Sequence, residues 1–277
     1  MDQEKRTLER SSAGILKLIE VMKKLRDPEN GCPWDRIQTH QTLMPFIMEE
    51  CAEFLDAASI EDDENMREEL GDVLMQIVLH SVIAEEREKF TFADVVEDIS
   101  RKMISRHPHV FGNGEVKVEK ADDVLKVWEK VKAKEKNHAP DPSKSLLDGV
   151  PLHAPALLQA EKLQKKAAKV GFDWSCAEDV LAKVGEEYEE LKEAFAKGDE
   201  EHIDEEIGDL LFAVANLTRF RKRQSGEMLL AQASAKFKRR FQYVEKRLAE
   251  QGKSWEEFTP AQLDLFWEEV KKAAPEK

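Results

Sequence analysis

The sequence predicts an all-α protein built as a tandem repeat. Apolar residues recur at helical spacing along nearly the whole chain, and alternating β-branched runs closed by glycine turns are almost absent. Two acidic blocks also recur at one fixed offset: MEECAEFLDAA (48–58) with EELGDVLMQIV (68–78), and GEEYEELKEAF (185–195) with EEIGDLLFAVA (205–215). Glu50 and Glu187, Glu53 and Glu190, Glu69 and Glu206, and Asp72 and Asp209 are all 137 residues apart, which marks a duplicated helical unit.

In chain order, the start MDQEKRTLER is charged and lacks the apolar stretch of a secretory signal. The first unit, residues 1–135, carries CPWD (32–35), the two acidic blocks, and KMISRHPHV (102–110). Residues 136–155 hold Pro140, Pro142, Pro151 and Pro155, which no helix tolerates at that density, and they read as a linker. The second unit, 156–250, opens on a helix with Lys165, Lys166 and Lys169, then GFDW (171–174), a looser echo of CPWD. It continues through its acidic blocks to KFKRRFQYV (236–244), which echoes 102–110. Residues 251–277 form an amphipathic terminal helix with Leu263, Phe266, Trp267 and Val270 on one face, suited to packing on the body or on a partner.

The 277 residues allow about two domains, each large enough to bury a core. The best uncharged stretch, residues 73–84, contains Gln76 and His80 and falls short of the roughly 20 apolar residues that a membrane helix needs. Cys32, Cys51 and Cys176 form no CxxC pair and are odd in number, against a disulfide framework or thiolate zinc site. These features point to a soluble, cytoplasmic chain. A net charge of −14 opposes general nucleic-acid or anionic-membrane binding, while leaving room for a small basic pocket that takes a compact polyanion.

The acidic blocks place charge where core residues belong. Leu43, Ile47, Glu50, Phe54 and Ala57 form one helical stripe, as do Val180, Val184, Glu187, Leu191 and Ala194. Glu53 and Glu190 lie one turn on, and Glu69 with Asp72, like Glu206 with Asp209, repeats the i, i+3 spacing on the next helix. Antiparallel packing of the two helices would converge four carboxylates, whose mutual repulsion demands a cation. Oxygen-only ligands select a hard divalent ion, Mg2+ or Mn2+, and such an ion keeps positions for water and phosphate. A di-iron carboxylate bundle would need ExxH pairs, and Asp72 and Asp209 stand where its histidines would be. The competing reading takes ExxE and ExxD as solvated faces of an acidic helical protein.

These residues resemble the MazG family of all-α nucleoside triphosphate pyrophosphohydrolases. Its EExxE block with a following ExxD appears as Glu49, Glu50 and Glu53 with Glu69 and Asp72, and again as Glu186, Glu187 and Glu190 with Glu206 and Asp209. GCPWDRIQTH, RHPHVFG, LDGVP, KVGFDW and KFKRRFQYVE are similar to family strings, so the resemblance spans about residues 15–250. It implies four-helix modules that dimerise, and Mg2+-dependent cleavage of nucleoside triphosphates between the α and β phosphates in nucleotide-pool house-cleaning. The metal set it implies is Glu187, Glu190, Glu206 and Asp209, with Glu50, Glu53, Glu69 and Asp72 as counterparts.

Glu186, and Glu49 in the first unit, are the spare acids beside those ligands and are the candidate general bases, against a plain surface role. Lys236, Arg239 and Arg240 form a compact basic cluster for the triphosphate, or an exposed basic face. Lys102 and Arg106 are their counterparts in the first unit, where Ser105 replaces one base. Phe172 and Trp174, and Trp34 in the first unit, are candidates to stack on a nucleobase, or else core anchors. Asn216, two turns beyond Asp209, is a further substrate candidate, and Leu79 holds that position in the first unit. His107 and His109 read as structural or as part of a pocket rim, and the other histidines form no spaced cluster. The function expected is NTP hydrolysis by a homodimer. Its rival is a helical interaction protein that dimerises and binds a partner without turnover.

Overall fold

The computed structural model describes residues 2–114, 116, 118–121, 123–124, 127–128, 131, 145–221, 223–252 and 254–273. The first part of the expected linker, residues 136–144, lies outside them, as does His138. The chain divides into two compact units, Met1–His138 and Ala139–Lys277. Among the described residues the regular structure is entirely helical.

The described part of unit 1 includes the long helices α1 (Asp2–Leu25), α3 (Met44–Ser59), α4 (Asp63–Glu86) and α5 (Phe92–Arg106), and the single turns α2 (Pro33–Arg36) and α6 (Pro108–Phe111). The C-terminal half of α1 packs Ile15, Leu18, Ile19 and Met22 against Val78, Leu79, Val82 and Ile83 of α4, with Leu43 closing the core from the start of α3. The segment between α1 and α3 is fastened by Arg26. Its guanidinium pairs with both Glu86 carboxylate oxygens at 2.7 Å and donates to the Asp35 and Gln38 carbonyls. Gly31 is required there, because a Cβ would meet the Asp27 and Leu25 carbonyl oxygens at 2.4 and 2.5 Å.

Unit 2 contains α7 (Ala156–Ala168), α8 (Ala177–Lys197), α9 (Glu200–Arg221), α10 (Gly226–Glu250) and α11 (Pro260–Ala273), with a 3-10 turn over Trp255–Glu257. Helix α9 packs on α8, α7 and α10. Helix α11 lays Leu263, Phe266 and Trp267 on Val244, Leu248 and Phe258.

Each unit presents its acidic blocks on a tight helical hairpin, α3–α4 and α8–α9. Both hairpins turn through one left-handed residue, Glu61 (φ 57°) in unit 1 and Gly198 (φ 68°) in unit 2. The residue after each accepts a backbone N–H at the start of the next helix, Asp62 from Asn65 and Asp199 from His202. These equivalent turns hold the two carboxylate helices antiparallel in both units.

Candidate active site

In unit 1 one oxygen each from Glu50, Glu69 and Asp72 falls within a 4.8 Å group, and in unit 2 one each from Glu187, Glu190 and Glu206 does so. Three of the four expected carboxylates therefore gather in each unit. Glu53 lies outside the first group and Asp209, which is exposed, outside the second.

The two clusters are balanced differently. In unit 1, desolvation and the charges of Asp72, Glu53 and Glu49 push the Glu50 carboxyl up, and a hydrogen bond from Gln76 opposes this. Desolvation and the nearby Glu53 and Asp72 raise Glu69 as well. Gln76 is 3 % exposed, and its Oε1 is buried without a hydrogen-bond partner. In unit 2, Lys183 Nζ lies 2.8 Å from Glu187 Oε1 and 2.6 Å from Glu186 Oε1, and these bonds hold the ammonium charged beyond its usual range. His202 Nε2 sits 3.3 Å from Glu206 Oε1. Burial raises Glu190, with Lys183 pulling the other way.

Sequence reasoning missed Lys183, His202 and Gln76. All three stand four residues from a cluster carboxylate on the same helix, a spacing that was available to reveal them. The counterparts of Lys183 and His202 in unit 1 are the uncharged Phe46 and Asn65.

Of the candidate bases, Glu186 is exposed and paired with Lys183, and Glu49 is exposed. In α10, Arg239 is exposed and the Arg240 guanidinium lies 5.8 Å from the Trp267 ring centre; Lys236 is half-buried. In unit 1, Lys102 is exposed and Arg106 stacks over Trp128 at 5.5 Å. Trp34 packs edge-on against Phe46 at 5.7 Å. His107 binds the Met103 carbonyl at 2.7 Å, a structural contact. His40 and His80, far apart in sequence, stack with their Nδ1 atoms 2.9 Å apart.

Phe172, Trp174 and Asn216 come together. They line a cavity of about 530 Å3 in unit 2 with Leu147, Leu163, Gln164, Ala167, Phe212 and the Asp173–Arg219 ion pair. Arg219 keeps the Asp173 carboxyl below its ordinary range. The volume and the mostly apolar wall with a few polar groups suit a small flat ligand. Leu79, at the position of Asn216, is instead a fully packed core residue of unit 1.

Residues 38–111 and 177–245 match the MazG nucleotide pyrophosphohydrolase domain. The chain is 43% identical, over 94% of its length and 97% of the relative's, to the nucleoside triphosphate pyrophosphohydrolase/pyrophosphatase MazG of Thermotoga maritima. It is 41% identical, over 93% and 97%, to the nucleoside triphosphate pyrophosphohydrolase of Escherichia coli K12. It also matches half of the uncharacterized protein YabN of Bacillus subtilis, at 46% identity over 91% of this chain. Two copies of the acidic hairpin, each inside a matched segment, and near full-length similarity to two pyrophosphohydrolases lead to one assignment: the chain belongs to the MazG nucleotide pyrophosphohydrolase family.

Proposed function

We propose that the protein hydrolyses nucleoside triphosphates between the α and β phosphates, consuming one water and releasing the monophosphate and pyrophosphate, with Mg2+ as cofactor. The observation that carries this reading is the convergence of Glu187, Glu190 and Glu206 in the helical unit that also holds a cavity lined by Phe172 and Trp174. The donor set fits a hard divalent ion, since every cluster oxygen is a carboxylate. Glu187, Glu190 and Glu206 hold Mg2+ with Asp209 at their edge, and Glu50, Glu69 and Asp72 do so with Glu53 in unit 1; Mn2+ is the substitute such ligands accept. When bound, the ion supplies charge neutralisation to the phosphates and acidifies a water.

The remaining steps fall to the chain. Glu186, whose Oε1 lies 2.6 Å from Lys183 Nζ, takes the proton of the attacking water. Lys236, Arg239 and Arg240 contact the triphosphate, as Lys102 and Arg106 do in the weaker first site. Phe172 and Trp174 stack on the base, as Trp34 does in unit 1. The modules comprise residues 1–135 and 156–250, joined by 136–155, with 251–277 as an appended helix.

A homodimer covers the apolar faces that each hairpin leaves exposed: Leu70, Leu74 and Ile77 on α4, and the equivalent Ile207, Leu211 and Val214 on α9. No described helix is long and apolar enough to cross a membrane.

The test is to incubate the chain with each common nucleoside triphosphate and Mg2+ and resolve products by ion exchange, beside Glu69→Ala, Glu206→Ala and Asp209→Ala. Monophosphate with pyrophosphate, lost in Glu206→Ala, supports the reading and places turnover in unit 2. Absence of turnover with every triphosphate and metal defeats it in favour of an interaction module. Full turnover in Glu186→Gln removes Glu186 as the base.

A further inference from the structure

We infer that Gln164 reads the base of the triphosphate, selecting nucleotides whose base offers an N–H donor at its edge. The inference rests on the proposed function above and deepens it by naming a specificity residue. Gln164 and Asn216 line the cavity and are 8 % and 9 % exposed. The orientation of each amide follows from its partner. Gln164 Nε2 donates to the Phe212 carbonyl at 2.9 Å, and because a carbonyl only accepts, the amide oxygen must face away from it. That oxygen, Oε1, is buried without a hydrogen-bond partner. Asn216 Oδ1 accepts from Arg219 Nε at 3.0 Å, and because a guanidinium only donates, the Asn216 NH2 is turned the other way. Arg219 is in turn held by both oxygens of Asp173.

Gln164 thus brings a buried, unpaired acceptor, and Asn216 an amide donor turned from Arg219, to the residues that line the cavity with the exposed rings of Phe172 and Trp174. A buried acceptor without a partner is costly, and a ligand that donates to it recovers that cost. Flat rings that stack and an edge that donates one N–H and accepts another describe a nucleobase. Placement agrees with this. Asp209, Phe212 and Asn216 follow one face of α9 at spacings of three and four, so Asn216 stands about 10 Å along the helix from Asp209 and about 15 Å from Glu206 of the metal cluster. That separation suits a base joined through its sugar to a metal-bound phosphate.

The experiment compares pyrophosphate release by the full chain from paired substrates. ATP is set against purine riboside triphosphate, which has no N–H on its base, and UTP against N3-methyl-UTP, which has lost its own. Wild type is expected to favour the donor-bearing member of the pair for the base it accepts by on the order of tenfold in kcat/KM. In Gln164→Leu that ratio should fall towards one. Equal kcat/KM within both pairs in wild type, or an undiminished ratio in Gln164→Leu, overturns the inference while leaving the proposed activity standing. If no triphosphate is turned over, the proposed activity fails, and calorimetric binding of the same pairs decides separately. Weaker binding of the donor-free member, abolished in Gln164→Leu, supports the inference; equal binding, or none, overturns it.

Discussion

Removing Glu161 tests how unit 2 holds its basic helix against its carboxylate helix. Glu161 is 2 % exposed on α7, and its Oε1 accepts from the backbone N–H of Gly226, the first residue of α10, and from Thr218 Oγ1 of α9 at 2.9 Å. Lys165 Nζ lies 3.6 Å from the other oxygen. The buried charge is thus offset by a helix N-terminus, a hydroxyl and an ammonium. In Glu161→Ala, Thr218 keeps its bond to the Ala215 carbonyl at 2.8 Å, but the Gly226 N–H is left without an acceptor. One orphaned buried donor costs roughly 1–3 kcal/mol, and the lost side-chain volume adds about 1 kcal/mol, so the variant should lose about 3 kcal/mol. For a unit of this size that lowers Tm by about 10 °C. Calorimetry on the full chain measures the loss, and hydrogen exchange at the amides of residues 226–229 assigns it to the start of α10. A change below about 0.5 kcal/mol, or unaltered exchange at those amides, would refute the account of Glu161 as the fastening of α10.

Glu61 occupies the left-handed position that its equivalent, Gly198, fills without steric cost, so Glu61→Gly should stabilise unit 1 by about 1 kcal/mol in thermal unfolding, and a lowered Tm would count against this. Glu50 is raised above its ordinary 4.5, so its folded state binds the proton more tightly than the unfolded chain. The resulting stabilisation is complete below 4.5 and disappears as pH rises through the elevated folded value. Glu50→Gln should therefore raise the metal-free Tm at pH 7, leave it unchanged near pH 4, and abolish any Mg2+-induced rise from unit 1; equal effects at both pH values would contradict the electrostatic origin. Lys183 supplies the cation beside Glu187 in metal-free unit 2, so Lys183→Met should lower metal-free stability and enlarge the stabilisation by Mg2+. A smaller Mg2+ response than in wild type would show that Lys183 does not compete with the ion.

Much of this organisation was written in local pattern. The constant offset announced two units, and the apolar stripes through Glu50 and Glu187 placed acids on inward faces. Which acids would meet was not legible. Helix rotation and depth decide whether Glu53 or Asp72, Asp209 or Glu190, brings an oxygen into the group, and packing sets both. Gln164 and Glu161 were invisible for a related reason. Each is a polar residue on α7 whose meaning depends on partners from α9 and α10 about 50 to 65 positions away, Phe212, Thr218 and Gly226. The pairing of His40 with His80 has the same long-range origin.

The duplication preserves the acids and varies what surrounds them. Lys183 of unit 2 is Phe46 in unit 1, His202 is Asn65, and Asn216 is Leu79. Two of these changes remove a polar or charged group from unit 1, and those replacements have structural work there: Phe46 meets Trp34, and Leu79 is sealed in the core with Val78 and Val82. In unit 2 the position of Leu79 lines a cavity, and unit 1 has committed that position to packing. The carboxylates alone would have suggested two equal sites. Their neighbours differ: on the proposed reading the second is the one equipped to recognise a base, while the first keeps a carboxylate cluster but has its counterpart of Asn216 buried in the core.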